Sequence, residues 1–194
     1  MKAITAFAMT ALFLPALAPA ADSLNYRYTD VTYEAGDFDD GFGDVDFDVI
    51  SVSGSYAIND KLAVTAGIFD GEIETGDFVV NDTDVKGASF GLTPHYPLSD
   101  KTDVLMPLAI QWVDQDDNVT DDDDLGFSIG AGVRSLLTDL IEVEAAVTYV
   151  DVQESDTVVS GSVRFHATDT LSIAVGGNHA DDADTYSVSG RIAF

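Results

Sequence analysis

Residues 185–194 read TYSVSGRIAF, and they alternate in character from one end to the other. Tyr186, Val188, Ile192 and Phe194 share one parity, with Gly190 between them. Ser187, Ser189, Arg191 and Ala193 share the other. Successive side chains of an extended chain point to opposite faces, so a period of two describes a strand with one apolar face and one small or polar face. The pattern recurs upstream. In DVISVSGSYAI (48–58), Ile50, Val52, Tyr56 and Ile58 alternate with Ser51, Ser53, Ser55 and Ala57. TDVLMPLAIQW (102–112) and LGFSIGAGVRS (125–135) repeat it, and after residue 22 no stretch sustains a period near 3.6. The fold class is all-β.

Two kinds of connection take turns along the chain. Short segments INDK (58–61), LSDK (98–101), LTDL (137–140) and ATDT (167–170) each pair Ser, Thr or Asn with Asp, residues whose side chains bond the local backbone in tight turns. Between them lie longer acidic segments at 35–46, about 75–84, 114–124, about 153–157 and 179–184. Alternation of the two kinds implies ten strands, approximately 23–34, 47–58, 61–74, 85–97, 102–113, 125–137, 140–152, 158–168, 170–179 and 185–194. Strands of about 9–11 residues can cross a bilayer when tilted. An even number of antiparallel strands with short turns at one end predicts a closed up-and-down transmembrane β-barrel. A secreted two-layer sandwich would also alternate, but it leaves the glycine and serine of the second face unexplained.

The first twenty residues, MKAITAFAMTALFLPALAPA, carry a lysine, a short apolar run and a small-residue ending, the three parts of a cleaved secretory signal. Residues 1–20 are therefore expected to be removed, leaving 21–194 as the barrel domain. The chain has 35 acidic residues against 8 basic ones, a formal charge of −27, which repels nucleic acid. It has no cysteine, so disulfide staples are excluded.

Over residues 22–194 these features resemble the small bacterial outer-membrane β-barrels of the OmpA/OmpX and porin-like type. The resemblance implies a Gram-negative outer membrane reached through the periplasm. It implies outer-membrane lipid, lipopolysaccharide and the outer-membrane assembly machinery as partners, and a monomer. It also marks Tyr186, Val188, Ile192 and Phe194 as an assembly signal, since that family ends on an apolar alternation with a terminal aromatic. Eight strands are usual there and stand as the alternative to ten.

A narrow barrel is filled by side chains. Arg27, Arg134, Arg164 and Arg191 have the parity of small or polar neighbours, as do Glu142 and Glu144, and all are expected to form an ionic network in the lower lumen. A three-residue turn before Leu140 would set Arg134 opposite Glu144. His166 and Asp48 are expected to point inward too. Four cations against two anions would need tyrosine hydroxyls, Asp30 or water to help.

The acids collect in the longer segments. Asp37, Asp39, Asp40, Asp121, Asp122, Asp123 and Asp124 are the weak candidates for diffuse Ca²⁺ or Mg²⁺ binding. DFDDGFGDVDFD (37–48) lacks the sixth-position glycine of an EF-hand loop, so no defined metal site and no cofactor are expected. Trp112, Tyr149 and Tyr186 fit an aromatic belt. His95 and His166 fall beside tight turns, while His179 falls near Asp181 and Asp182, as in an omptin-like hydrolase. That activity is a distant third reading, and no catalytic residue is assigned. A structural or surface-interaction barrel with a largely closed, charged lumen comes first, and a narrow channel for small solutes or ions second.

Overall fold

The computed structural model describes residues 24–39, 44–74, 83–116, 121–152, 154–181 and 183–194. The expected leader at 1–20 lies outside the described residues, as do Asp40, Asp77, Asp82, Asp117 and Asp182 and the side chains of Asp39, Asp44, Asp121 and Asp122.

Alternation becomes strand throughout: β1 (Tyr28–Asp39), β2 (Asp44–Asn59), β3 (Leu62–Glu74), β4 (Thr83–Ser99), β5 (Thr102–Leu105), β6 (Leu108–Asp116), β7 (Asp121–Leu136), β8 (Ile141–Val152), β9 (Glu154–His166), β10 (Leu171–Ala180) and β11 (Ala183–Ala193). Each pairs antiparallel with its neighbours, and β1 pairs with β11 from Tyr28↔Ala193 to Phe38↔Ala183, which closes the sheet. β5 and β6 both lie between β4 and β7 and form one stave, so the closed barrel has ten staves. The stave breaks at Met106–Pro107, for a chemical reason. Met106 N–H donates to the Pro94 carbonyl at 2.9 Å, but Pro94 has no N–H to return the bond, and Pro107 has none to give.

The tight turns are closed by the side chains expected to close them. Asn59 Oδ1 accepts from Lys61 N–H at 2.9 Å, Thr138 Oγ1 from Ile141 N–H at 3.0 Å, and Thr168 Oγ1 from Leu171 N–H at 2.9 Å. The outer wall is apolar: Ile68, Leu125, Ile173, Val175 and Ile192 are each 60–74 % exposed. A wall of this composition belongs in hydrocarbon, and closure leaves no strand edge unpaired there. In such barrels the short turns face the periplasm, which orients the molecule.

The acidic segments differ from expectation. Most of 35–46, 114–124 and 153–157 is strand, not loop: β1 and β2 run to Asp39 and from Asp44, β7 begins at Asp121 and β9 at Glu154. The cause lies in the parity of their apolar residues. Within the membrane the apolar residues face out, whereas toward the outer end they face in. The change of side is marked by apolar doublets. Val49, Phe69, Val113, Val150 and Val158 are buried, while their chain neighbours Ile50, Ile68, Trp112, Tyr149 and Val159 are at least 40 % exposed. Beyond the doublets the barrel resembles a soluble one, with acids outside and a dry core of Val45, Phe47, Phe69, Ile73, Val85 and Val152 among others. Burying that core drives the strands onward, since each fully buried aliphatic or aromatic side chain contributes about 1.5–3 kcal/mol.

Glycines on the inward parity make room for this collar. Gly36 is paired with Phe47 across β1 and β2, and a Cβ on Gly36 would sit 2.8 Å from the Phe47 ring. Gly87 stands in the same relation to Phe69 across β4 and β3. Small residues opposite large ones are how a narrow barrel fills its bore.

Candidate functional site

Below the collar the lumen becomes polar, and near the periplasmic end it becomes ionic. Inward parity on β1, β7, β8, β9 and β11 delivers Asp30, Arg134, Glu142, Glu144, Arg164, His166 and Arg191, all buried. Arg134 Nε donates to Glu142 Oε1 at 2.8 Å, and the other Glu142 oxygen lies 3.1 Å from His166 Nε2. On the facing side, Arg191 is bonded to Asp30, and an Arg164 Nη lies 3.5 Å from the same carboxylate. Arg164 also donates to Ser172 Oγ at 3.1 Å and Ser189 Oγ at 3.0 Å. The Arg191 guanidinium lies 3.8 Å from the Tyr28 ring centre, and that of Arg134 lies 4.7 Å from the Tyr26 ring centre.

Three placements differ from those expected. Arg27 is exposed on the outer wall, 5.0 Å from the ring centre of the lipid-facing Tyr56, because regular strand begins only at Tyr28. Asp48 has the outward parity of Ile50 and Val52. Arg134 does face Glu144 in the β7–β8 register, yet its guanidinium bonds Glu142, and neither Glu144 oxygen has a hydrogen-bond partner. The charge balance also reverses. Among the described buried residues three arginines meet five carboxylates, Asp30, Glu34, Asp103, Glu142 and Glu144.

Several interior groups escaped the sequence reading. Tyr26, just before β1, donates to Asp103 Oδ2 at 2.6 Å and stacks on His95 with ring centres 3.8 Å apart. Asn178 donates to Glu34 Oε1 at 2.5 Å, higher in the lumen. The signal was available for Asp103 and Glu34, since each has the inward parity of its strand. Tyr26 carried no such signal, because it precedes the regular alternation.

The outer wall beyond the membrane is lined with carboxylates in neighbouring register. Asp37 pairs with both Asp46 and Asp184, Asp46 pairs with Glu74, and Glu72 pairs with Asp84, which pairs in turn with Asp116. Like charges side by side in a ladder are destabilising, and only their exposure to water and salt makes the arrangement tolerable. Lys86 sits between Asp70 and Asp114 in the same band. Among the described residues no group of three or more His, Cys, Asp or Glu could hold a metal ion. Asp37 and Asp123 belong to this wall, the half-buried Asp124 has the inward parity of its register partner Val113, and the remaining diffuse-binding candidates lie outside the described side chains.

His179 Nδ1 lies 2.9 Å from Asp184 Oδ1, its register partner on β11, in an outward pair. Trp112, Tyr149 and Tyr186 all face outward at the level where acids replace aliphatics. At the periplasmic turns, the Lys101 ammonium donates to Asp139 at 2.8 Å, and this hydrogen bond holds the Asp139 carboxyl below the usual carboxylate range.

Among solved structures, the barrel is similar to the translocator domain of the autotransporter NalP from Neisseria meningitidis. That match has a TM-score of 0.54 and 11 % identity and covers 95 % of this chain and 91 % of that one. The transport unit of the autotransporter AIDA-I from Escherichia coli gives 0.54 and 8 %, covering 88 % and 90 %. Neisserial surface protein A gives 0.45 and 12 %, covering 86 % and 96 %. At these identities the likeness is one of fold. A search of curated protein sequences found no match. Residues 4–188 match the model of the outer membrane protein beta-barrel domain, and the chain therefore belongs to that family of Gram-negative outer-membrane barrels.

Proposed function

We propose that this protein is a closed barrel that works at its surface, in a structural or surface-interaction role, and does not conduct solutes. The observation that carries the reading is the double obstruction of the lumen. The apolar collar around Phe47 and Phe69 fills the bore toward the outer end, and toward the periplasm it is spanned by Tyr26, ahead of β1, whose hydroxyl bonds Asp103 on β5 and whose ring lies under the Arg134 guanidinium from β7. A barrel of about eight strands is just wide enough for side chains to fill, and open porins use about 16–18. In this reading, ten staves whose described residues fill the bore at two levels exclude a continuous water column.

Its partners in this reading are outer-membrane lipid and lipopolysaccharide. The assembly machinery engages the outward row Tyr186, Val188, Ile192 and Phe194, all more than half exposed. Phe194→Ala should then lower the yield of folded barrel in the membrane. The deciding experiment for the role itself is planar-bilayer conductance of the refolded protein. Silent membranes are expected at physiological salt. Reproducible current steps from the unmodified barrel would overturn the closed reading in favour of the narrow channel.

A further inference from the structure

The periplasmic mouth holds a cavity of about 940 Å³, within the range of small-molecule sites. Its walls come from three places: the segment leading into β1, the β2–β3 turn and the β4–β5 turn. At its base stands His95, 7 % exposed, with neither ring nitrogen in a hydrogen bond. A buried imidazole without a hydrogen bond is uncommon, because each unsatisfied polar group costs free energy. The nearest charged neighbour is Asp103, whose carboxylate lies 3.4 Å from His95 Nδ1 and already accepts from the Tyr26 hydroxyl.

The lining has a definite sign. Asp103 lies at the base, and Asp60 and Asp100 overlook the opening from the two turns. The one lining cation, Arg27, is drawn aside over Tyr56 on the outer wall. Leu24, Ile58 and Leu98 supply an apolar side. Three carboxylates against one displaced guanidinium disfavour an anion. No described trio of ligating residues suits a bare metal ion. A group that donates N–H to an imidazole nitrogen, carries positive charge toward carboxylates and lays methylenes on aliphatic side chains satisfies every wall.

We propose that this mouth is a binding site for an organic ammonium ion, with His95 and Asp103 receiving the ammonium head and Asp60 and Asp100 attracting it. The ammonium could belong to a free polyamine or to a lysine side chain of a periplasmic protein. The chemistry recognised is the same. The site stands apart from the closed-lumen reading, because it opens below the ionic layer.

Ring resonances of the full barrel in zwitterionic micelles test the proposal, with the His95 signals assigned through His95→Gln. The protein is titrated at fixed pH and ionic strength with spermidine and, separately, with a tetralysine peptide. Saturable movement of the His95 signals is expected, with affinity lowered about tenfold or more in the Asp60→Asn/Asp100→Asn double variant. Those two residues lie in exposed turns, so the variant should fold, and its heat resistance on gels checks this. A response to tetralysine alone supports the site and identifies a protein side chain as its occupant, and a response to spermidine alone identifies a free amine. The proposal is overturned if neither probe moves His95. It is overturned equally if His179 on the acidic outer wall moves in parallel, or if the double variant binds as tightly as the parent. A conductance result bears on none of these outcomes.

Discussion

Phe47 on β2 faces Gly36 on β1, and its ring occupies the space a side chain on Gly36 would need. The collar is therefore a set of complementary shapes, not a pool of interchangeable apolar residues. Phe47→Ala should lower stability by about 3–5 kcal/mol, read as a lower urea midpoint in a bilayer. Gly36→Val should also destabilise, through overlap with the Asp184 carbonyl and with the ring. Combining the two should cost less than the sum of the single effects, because removing the ring relieves one of the two overlaps while that with the Asp184 carbonyl remains. Strict additivity would show that the two residues are not in contact.

The Arg134–Glu142 bond predicts an asymmetry between two nearby glutamates. Glu142→Ala strands a buried guanidinium and should cost about 3–5 kcal/mol. Glu144 has no hydrogen-bond partner, so Glu144→Gln removes a buried carboxylate without breaking a bond and should be neutral or stabilising. Urea unfolding of the two variants in the same bilayer separates them. Equal loss in both would mean that Arg134 serves the two carboxylates alike.

Much of this was legible in the sequence, and the reasons for success and failure are physical. Alternation such as Tyr186–Val188–Ile192 is imposed by the pleat, so strand number and the lipid face can be counted directly. The tight turns were legible because Asn59, Thr138 and Thr168 bond their own backbone. DVD at 44–46 was misread as loop because its acids dominate the eye, whereas Val45 continues the inward period of Phe47 and Val49. Parity places a residue on a face but does not choose its partner. Register set Arg134 across from Glu144, and side-chain reach then took the guanidinium to Glu142. Arg27 lay before the first regular pair, where parity has no meaning.

The Lys101–Asp139 bridge predicts a weak and one-sided pH effect. Lys101 lowers the Asp139 pKa in the folded barrel, so the pair favours folding while the carboxylate is ionised. That contribution is present above the ordinary carboxylate pKa of about 3.9 and is lost as pH falls through the lowered value. Both side chains are exposed, so water and salt screen the pair. Melting of wild type and Asp139→Asn should nearly coincide at pH 7 and converge fully in acid. A gap that widens on acidification would reverse the assigned sign.

The apolar doublets predict where the membrane surface lies. Val49 and Ile50 are adjacent, yet Val49 is 3 % exposed and Ile50 55 %, and Asp48 below them in sequence shares the outward face. If the hydrophobic side changes at this point, Ile50 meets acyl chains and Asp48 meets water or head groups one pleat further out. The chain has no cysteine, so single cysteines report without background. A nitroxide at position 50 should relax with oxygen, which concentrates in hydrocarbon, and one at position 48 with a water-soluble nickel chelate. A label at position 49 should respond to neither. The same reversal is expected at Ile68 against Asp70 and at Trp112 against Asp114, since each of these pairs straddles a doublet. Oxygen-dominated relaxation at positions 48, 70 and 114 would place the acidic wall inside the bilayer, where unpaired outward carboxylates cannot persist, and the inverted outer segment would then have to be abandoned.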